Sequence, residues 1–201
     1  MNLNNYYLIE IQFLGYRYHG WQKQPNLKTV HLMIDRTINY ILENNKFKSL
    51  GAGRTDAMVS APQTAFELFT EKPLIDLLAF MELFNTNLPQ DIRALSIKEI
   101  DKDFNIINSP KIKEYKYLFT EGTKNHPYCA PFITTFLDDL NIEIMKKGAK
   151  LFEGKHNLKS YCYKPNENGL FEREITHCRI TKNNTLTNKL IFVCKHCHRL
   201  A

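Results

Sequence analysis

The residues most able to do chemistry in this chain lie in one short glycine-rich stretch, residues 51–61. The stretch has the sequence GAGRTDAMVSA and carries one cation, Arg54, and one carboxylate, Asp56. Strand-like apolar residues flank it on both sides, and a loop held at its ends by a sheet is a common place for catalytic groups. Asp56 is therefore a candidate catalytic carboxylate. The alternative is a structural turn in which Asp56 caps backbone amides.

A second stretch with chemical potential is residues 15–21, of sequence GYRYHGW. It mixes cations with aromatic rings, a combination that suits phosphate contacts and base stacking on a nucleic acid. Arg17 and Trp21 are therefore candidate RNA contacts. In the alternative interpretation, Trp21 and the tyrosines pack at the edge of the core.

The elements that must position these stretches follow from hydrophobic periodicity. Thr29 is a plausible N-cap for a first helix, and Pro73 suits the first turn of a second helix. The predicted strands cover residues 6–13, 46–50, 64–69 and 92–100, and the predicted helices cover 30–43 and a segment from Pro73 to Phe84. This β-α-β-β-α-β order predicts a ferredoxin-like lobe, an antiparallel sheet with both helices on one face. Residues 51–61 then join its second and third strands.

A polar segment near residues 101–110 predicts a boundary between an N-terminal lobe, 1–105, and a C-terminal lobe, 106–201. The second lobe is predicted to contain strands at 114–119, 132–137, 172–181 and 186–197, a helix at 141–152, and an irregular segment at 154–169. If this lobe repeats the element order of the first, it lacks a closing helix and strand. The predicted fold class is therefore α/β (α+β), with two ferredoxin-like lobes sharing a mostly antiparallel sheet.

Composition restricts the class of protein. The chain has 201 residues, 43% of them hydrophobic and 24% charged, which is close to globular averages and argues against wholesale disorder. Lys and Arg exceed Asp and Glu by 27 − 21 = 6, which favours a polyanionic partner. There is no signal peptide and no apolar stretch long enough to span a bilayer, so we expect a cytoplasmic protein without membrane contact. Its five cysteines are then expected to be reduced thiols.

The C-terminal sequence contains a possible metal motif, Cys194-x-x-Cys197-His198. This spacing fits a haem-attachment pattern, and its cysteines and histidine could bind zinc. Covalent haem attachment would normally require export, for which there is no signal. We therefore expect no metal or organic cofactor, and keep a small metal- or haem-binding protein as a distant alternative.

Four motifs in order resemble the TruA type of tRNA pseudouridine synthases. Gly53-Arg54-Thr55-Asp56-Ala57 matches the active-site motif of that family, and three further segments occur in family-like order and spacing. They are residues 20–24 (GWQKQ), 87–92 (NLPQDI) and 115–117 (YKY). Residues 151–157 resemble a later family segment, so the resemblance extends to about Thr181.

The resemblance implies that the chain isomerises uridine to pseudouridine in the anticodon stem-loop of tRNA, at positions 38–40, as a cofactor-free homodimer. It implies that Asp56 is the nucleophile, attacking either the base or the sugar, and that a nearby cation keeps this carboxylate ionised. Arg54 is associated with gripping RNA and could also help Asp56, while Tyr115 stacks on the flipped target base. Thr55, Trp21 and Arg17 complete the expected set of RNA-contacting residues.

The chain departs from the family pattern in two places. Bacterial members often carry Gly-Val-His where this chain has Met58-Val59-Ser60. The family also continues into a helix bearing an arginine that pairs with the catalytic aspartate, and Arg199 does not match that arginine. From these departures we expect the 201 residues to bind tRNA and to catalyse poorly or not at all. The alternative function is therefore a catalytically impaired RNA-binding remnant.

Overall fold

The structure is a computed structural model that describes residues 3–109, 111–162, 165, 169–183 and 189–198. The side chains of residues 183 and 189–198 are outside this description. The chain forms two compact units, Met1–Ser109 and Pro110–Ala201. Within the described ranges, no helix is long and apolar enough to cross a membrane.

The first unit is a four-stranded antiparallel sheet with two helices. Its strands are β1 (Asn5–Phe13), β2 (Phe47–Gly51), β3 (Ala61–Thr70) and β4 (Ile92–Glu99), and its helices are α1 (Val30–Leu42) and α2 (Leu77–Asn87). The strand order is β2-β3-β1-β4. This order and the β-α-β-β-α-β succession confirm the predicted ferredoxin-like fold.

One face of this sheet and the two helices enclose the core. Alternate residues of β1 point to that face because side chains alternate along a strand, and all four of its inward residues are buried. Helix α1 adds Val30, Ile34 and Ile38, each completely buried at helical spacing. Each such side chain contributes roughly 1.5–3 kcal/mol relative to an exposed one. The β1 residues in the core are Tyr7, Ile9, Ile11 and Phe13.

Helix α2 begins later than predicted. Asp76 is its N-cap, with Oδ1 accepting hydrogen bonds from the N–H groups of Leu78 at 2.9 Å and Ala79 at 3.0 Å. Placing Pro73 in the first turn was therefore wrong. An acidic N-cap satisfies two amides that would otherwise lack partners, and this outweighs the tolerance of a first turn for proline.

The second unit is a five-stranded sheet with one described helix. Its strand order is β6-β5-β9-β8-β7. Strands β5 and β6 pair in parallel, and the other neighbours are antiparallel. The elements are β5 (Lys111–Glu121), β6 (Thr134–Phe136), α3 (Ile142–Lys150), β7 (Gly154–Asn157), β8 (Glu172–Asn183) and β9 (Lys189–His198).

This sheet shares part of the arrangement of the first. Strands β8, β9 and β5 occupy the places that β2, β3 and β1 occupy in the first unit. Describing residues 154–169 as irregular was partly wrong, because they begin with β7, which pairs with β8 from Gly154 opposite Ile175 to Asn157 opposite Glu172. The short, polar sequence of β7 lacks the apolar alternation that marks a strand. β7 therefore adopts its strand conformation because it pairs with β8, and its own sequence does not indicate that conformation.

Candidate active site

The stretch that carries Asp56 is a loop between two neighbouring strands. We call residues 52–60 the Asp56 loop; it leaves β2 at Gly51 and enters β3 at Ala61. Its first residue still follows the sheet, since the Ala52 N–H donates to the Ala65 carbonyl at 3.0 Å. The side chains of Arg54 and Asp56 are exposed. The sheet therefore presents a carboxylate to solvent at one end of the β2–β3 pair.

A second loop holds the Asp56 loop from the side. We call residues 14–29, between β1 and α1, the first loop. The backbone N–H of Trp21 donates to the Thr55 carbonyl at 3.1 Å, and the backbone N–H of Met58 donates to the Tyr18 carbonyl at 3.0 Å. The Ser60 hydroxyl accepts the Gly15 N–H at 2.9 Å. These three bonds lie on both sides of Asp56 along the chain, so its backbone is fixed from both directions.

Two glycines make this close approach of backbones possible. Gly20 has a φ of +82°, and a Cβ there would lie 2.4 Å from the Thr55 carbonyl oxygen. A Cβ on Gly51 would lie 2.4 Å from Nε1 of the Trp21 indole. Both distances are far inside van der Waals contact, so any side chain at either position would push the Asp56 loop or the indole away.

Asp91 fixes the first loop in turn. Its Oδ1 accepts the Tyr18 hydroxyl at 2.6 Å, and its Oδ2 accepts Arg17 Nε at 2.8 Å and pairs with Arg17 Nη2 at 2.7 Å. Burial alone would raise the pKa of Asp91, but the bonds from Tyr18 and Arg17 outweigh it and the pKa is lowered. Burial, followed by the bond to Asp91, raises the pKa of Tyr18. Residue types and spacing did not indicate this role of Asp91. Asp91 does lie in residues 87–92, one of the segments that carry the family resemblance.

The structure places Arg17 in that ion pair rather than free at the surface. Its side chain is still 59% exposed, so the face away from Asp91 remains open to solvent. A guanidinium can pair with a carboxylate and still contact a phosphate, because it has five donors. The RNA contact of Arg17 therefore stays a prediction.

Trp21 is buried, and its expected role in stacking on an RNA base is corrected. The side chain is 5% exposed, stacks on the His31 ring at a centroid distance of 5.5 Å and contacts Phe13 at 6.1 Å. Packing against these rings leaves the indole no free face. The alternative interpretation, packing at the edge of the core, is the one that the structure supports.

Thr55 is also turned inward. Its carbonyl oxygen accepts from Trp21, while its hydroxyl oxygen is buried and has no hydrogen-bond partner among the described residues. An unsatisfied buried hydroxyl costs roughly 1–3 kcal/mol. The Thr55 hydroxyl is therefore not accessible to RNA in this arrangement of the loop. The expected contact of Thr55 with RNA stays a prediction.

Arg54 and Asp56 do not pair with each other. In the part of the chain that the structure describes, neither side chain takes part in an ion pair. The expected support of the Asp56 carboxylate by Arg54 is thus not present here. Both groups point to solvent from one short segment, which leaves the guanidinium free for a phosphate and the carboxylate free for a reacting atom.

Tyr115, the expected base-stacking residue, lies in β5 of the second unit and is 49% exposed. Lys113 precedes it by two residues and so shares its face of the strand. Burial, together with the charge of Arg173, lowers the pKa of Lys113. A half-exposed ring thus shares its strand face with a lysine, a pair of side chains suited to a base and a phosphate.

The side chains of the possible metal motif at the C-terminus, those of Cys194, Cys197 and His198, lie outside the description. Over the described ranges, no group of three or more His, Cys, Asp or Glu side chains is placed to hold a metal ion. The three cysteines with described side chains, Cys129, Cys162 and Cys178, are thiols.

Fold and site together define an α/β protein that presents an exposed carboxylate on a loop bonded to a second loop, and, in its other unit, an aromatic residue on the same strand face as a lysine. No protein-family model matches the chain. Curated relatives do match it, and they include several that carry the name tRNA pseudouridine synthase A, of which three are described below.

The relative from Syntrophomonas wolfei is 32% identical over 174 residues, which are 86% of this chain and 68% of the relative. That from Caldicellulosiruptor saccharolyticus is 32% identical over 177 residues, 88% of this chain and 72% of the relative. That from Aquifex aeolicus is 30% identical over 154 residues, 77% of this chain and 63% of the relative. The chain thus spans between 63% and 72% of the length of these relatives. It belongs to the tRNA pseudouridine synthase A family.

Proposed function

We propose that this chain is a tRNA pseudouridine synthase and that Asp56 is its nucleophile. The observation that carries the proposal is the geometry of the Asp56 loop: an exposed carboxylate whose backbone is bonded to a second loop on both sides. A nucleophile held in this way meets its substrate without first having to be ordered. The names of the relatives support the reaction and the class of RNA.

The reaction is an isomerisation. The bond between N1 of uracil and C1′ of the ribose breaks, the base rotates, and a bond forms between C5 and C1′. The proton on C5 leaves and N1 gains one, so that substrate and product have the same atoms. Asp56 would form a transient covalent bond either to C1′ or to the base, and it leaves when the new bond forms. No electrons are gained or lost, and the proposed reaction therefore needs no cofactor.

The other residues have proposed roles at the RNA. Arg54, exposed and unpaired within the described residues, contacts a phosphate near the extruded uridine. Tyr115 stacks on a base, and Arg17 contacts the backbone through the donors that Asp91 leaves open. The target uridine must leave the helical stack, which costs a few kcal/mol, and stacking on Tyr115 offsets part of this cost.

We further propose that the target uridines are those of the anticodon stem-loop, at positions 38–40, that the working form is a homodimer, and that the enzyme acts in the cytoplasm. The family resemblance is what supports these three statements. Mapping of modified uridines in a tRNA lacking pseudouridine, by mass spectrometry after incubation with the chain, tests the first. Sedimentation of the chain with and without tRNA tests the second.

The experiment that tests the function itself is conversion of uridine in an unmodified tRNA transcript, measured by tritium release from 5-tritiated uridine. The wild-type chain should release tritium, at a low rate if its departures from the family pattern act as expected, and Asp56→Asn should release none. Asn keeps the shape of the side chain but supplies no carboxylate, so its affinity for tRNA should stay within a few-fold of wild type. Absence of release from the wild-type chain would contradict the proposal.

A further inference from the structure

A cluster of polar side chains joins the first loop, α1 and β2, and contains none of the residues given a role at the RNA above. We call it the His31 cluster; its members are Lys23, His31, Asp35 and Ser49. His31 Nε2 lies 2.6 Å from the Ser49 hydroxyl, which in turn bonds to Asp35, and Lys23 pairs with the other oxygen of Asp35. His31 and Asp35 are four residues apart on α1, and Ser49 lies on β2 two residues before Gly51.

The direction of these hydrogen bonds follows from counting protons. The Ser49 hydroxyl has one proton, and it donates this proton to the Asp35 carboxylate, which can only accept. The hydroxyl must therefore accept at its contact with His31, so Nε2 of His31 carries a hydrogen. A neutral His31 is thus fixed as the tautomer protonated at Nε2, and the plane of its ring is set by Ser49.

The ring of His31 supports Trp21. The two rings stack at a centroid distance of 5.5 Å and an angle of 24°. The backbone N–H of His31 also donates to the backbone carbonyl of Trp21 at 3.1 Å. The Trp21 indole also contacts Gly51, and the backbone N–H of Trp21 donates to the Thr55 carbonyl next to Asp56. A continuous set of contacts therefore runs from the His31 cluster to Gly51 and Thr55, on the N-terminal side of Asp56.

We propose that His31 is a positioning residue for the Asp56 loop, and that its neutral ring, oriented by Ser49, holds the Trp21 indole against Gly51. This inference rests on the proposed function. Displacement of a reacting group by about 1 Å can cost on the order of a hundredfold in rate. A loop that loses the support of Trp21 would keep its exposed side chains and would misplace Asp56.

The charged groups around His31 determine when it is neutral. Asp35 faces it from α1 and Lys23 from the first loop, while β2 presents the uncharged Ser49. Burial lowers the pKa of His31, Asp35 raises it and Lys23 lowers it again, with a net shift below the ordinary value of 6.5. The ring is therefore neutral at pH 7. Protonation at lower pH places a buried positive charge against the indole.

A spectroscopic measurement tests the contact directly, because Trp21 is the one tryptophan of the chain. A protonated imidazole quenches the fluorescence of an indole stacked on it. The emission of the wild-type chain should therefore fall as the pH is lowered, with a midpoint below 6.5, and His31→Gln should abolish this transition. His177→Gln, an exposed histidine of β8, is the control and should leave the transition unchanged.

An activity measurement on the full chain tests positioning. Across the same pH range, the kcat of the wild type on a tRNA transcript should follow the fluorescence transition. In His31→Gln, which keeps an N–H for Ser49 and loses the ring, kcat should fall about 10- to 100-fold and lose this pH dependence, with KM within about twofold. Ser49→Ala should lower kcat in the same direction, because the ring loses the partner that orients it.

The outcomes separate this inference from the proposed function. If the wild type turns over and both folded variants, His31→Gln and Ser49→Ala, keep its kcat and its pH profile, the proposed role of His31 is wrong and the proposed function stands. A fluorescence transition that persists in His31→Gln would overturn it as well. Circular dichroism establishes folding, and if Ser49→Ala fails to fold, His31→Gln alone decides. No turnover by the wild type at any pH would overturn the proposed function and this inference together.

Discussion

Replacing Gly20 by Ala should damage both catalysis and stability, and the structure supplies a matched control that separates the two effects. Gly20 and Gly122 have nearly the same φ, +82° and +79°. Alanine at either position carries the conformational cost of a left-handed backbone, about 1–2 kcal/mol. The new Cβ of residue 20 would lie 2.4 Å from the Thr55 carbonyl oxygen, whereas a Cβ on residue 122 would have no heavy atom within 4 Å.

The difference between the two variants therefore isolates the contact with the Asp56 loop. Relief of that overlap requires a movement of about 1 Å by the Thr55 carbonyl, since carbon contacts are comfortable only near 3.5 Å. The movement breaks the bond from the Trp21 N–H and shifts Asp56. We expect Gly20→Ala to lose about 2–3 kcal/mol of unfolding free energy and about a hundredfold in kcat. Gly122→Ala should lose about 1–2 kcal/mol, with kcat within about twofold.

Urea unfolding followed by far-UV circular dichroism measures the first quantity, and single-turnover tritium release from 5-tritiated tRNA measures the second. Both variants are assayed at a temperature where each remains folded. The reasoning fails if Gly20→Ala and Gly122→Ala have the same kcat. It also fails if Gly20→Ala raises KM alone, because a displaced nucleophile should slow the chemical step rather than weaken the binding of tRNA.

Three further perturbations have expected outcomes. Met58 has a φ of 65° and is 56% exposed, so Met58→Gly should remove strain and raise the free energy of unfolding by about 0.5 kcal/mol once the greater freedom of unfolded glycine is counted; a lower urea midpoint would contradict this. Tyr18→Phe should cost about 2 kcal/mol in the same assay, because a buried bond to the Asp91 carboxylate is lost, whereas Tyr16→Phe, at an exposed ring, should cost under about 0.5 kcal/mol. Since His31 binds a proton more tightly when unfolded, the unfolding free energy should fall as the pH drops below 6.5 until the lower folded pKa is passed, and a slope in His31→Gln equal to that of wild type would refute this.

The fold of the first unit could be predicted from the sequence because its signals are local. Helix α1 has a Thr29 cap and buried residues at helical spacing, and β1 alternates strictly. The start of α2 and the strand β7 were not predictable in this way. The Asp76 cap competes with a proline signal three residues earlier, and β7 is polar and gains its strand conformation from pairing with β8.

The candidate residues of the site could be proposed from the sequence, but the contacts that hold their loop could not. Asp56 and Arg54 stand out by type and spacing, and the structure exposes both. The burial of Trp21 was left open, because a tryptophan beside glycines and cations fits a stacking surface and a core equally well. Asp91 bonds to Tyr18, 73 residues away in sequence, and His31 bonds to Ser49, 18 residues away. Local sequence patterns do not predict contacts at such separations.

The departure at Met58 is explained in part by the structure. The resemblance places a glycine there in bacterial members, and the left-handed φ of this residue is the conformation that glycine adopts without strain. Ser60, where those members carry histidine, accepts the Gly15 N–H and so helps to hold the two loops together. Both differences thus fall on the scaffold of the Asp56 loop rather than on the carboxylate itself.

The central claim, that Asp56 is the nucleophile of a tRNA pseudouridine synthase, is tested most directly by tritium release from 5-tritiated tRNA with the wild-type chain and Asp56→Asn side by side. We predict release by the wild type, a loss of at least about a thousandfold in the variant, and tRNA affinities within a few-fold of each other. Release by Asp56→Asn at the wild-type rate would contradict the assignment of Asp56. Absence of release by the wild type at tRNA concentrations that saturate binding would contradict the function.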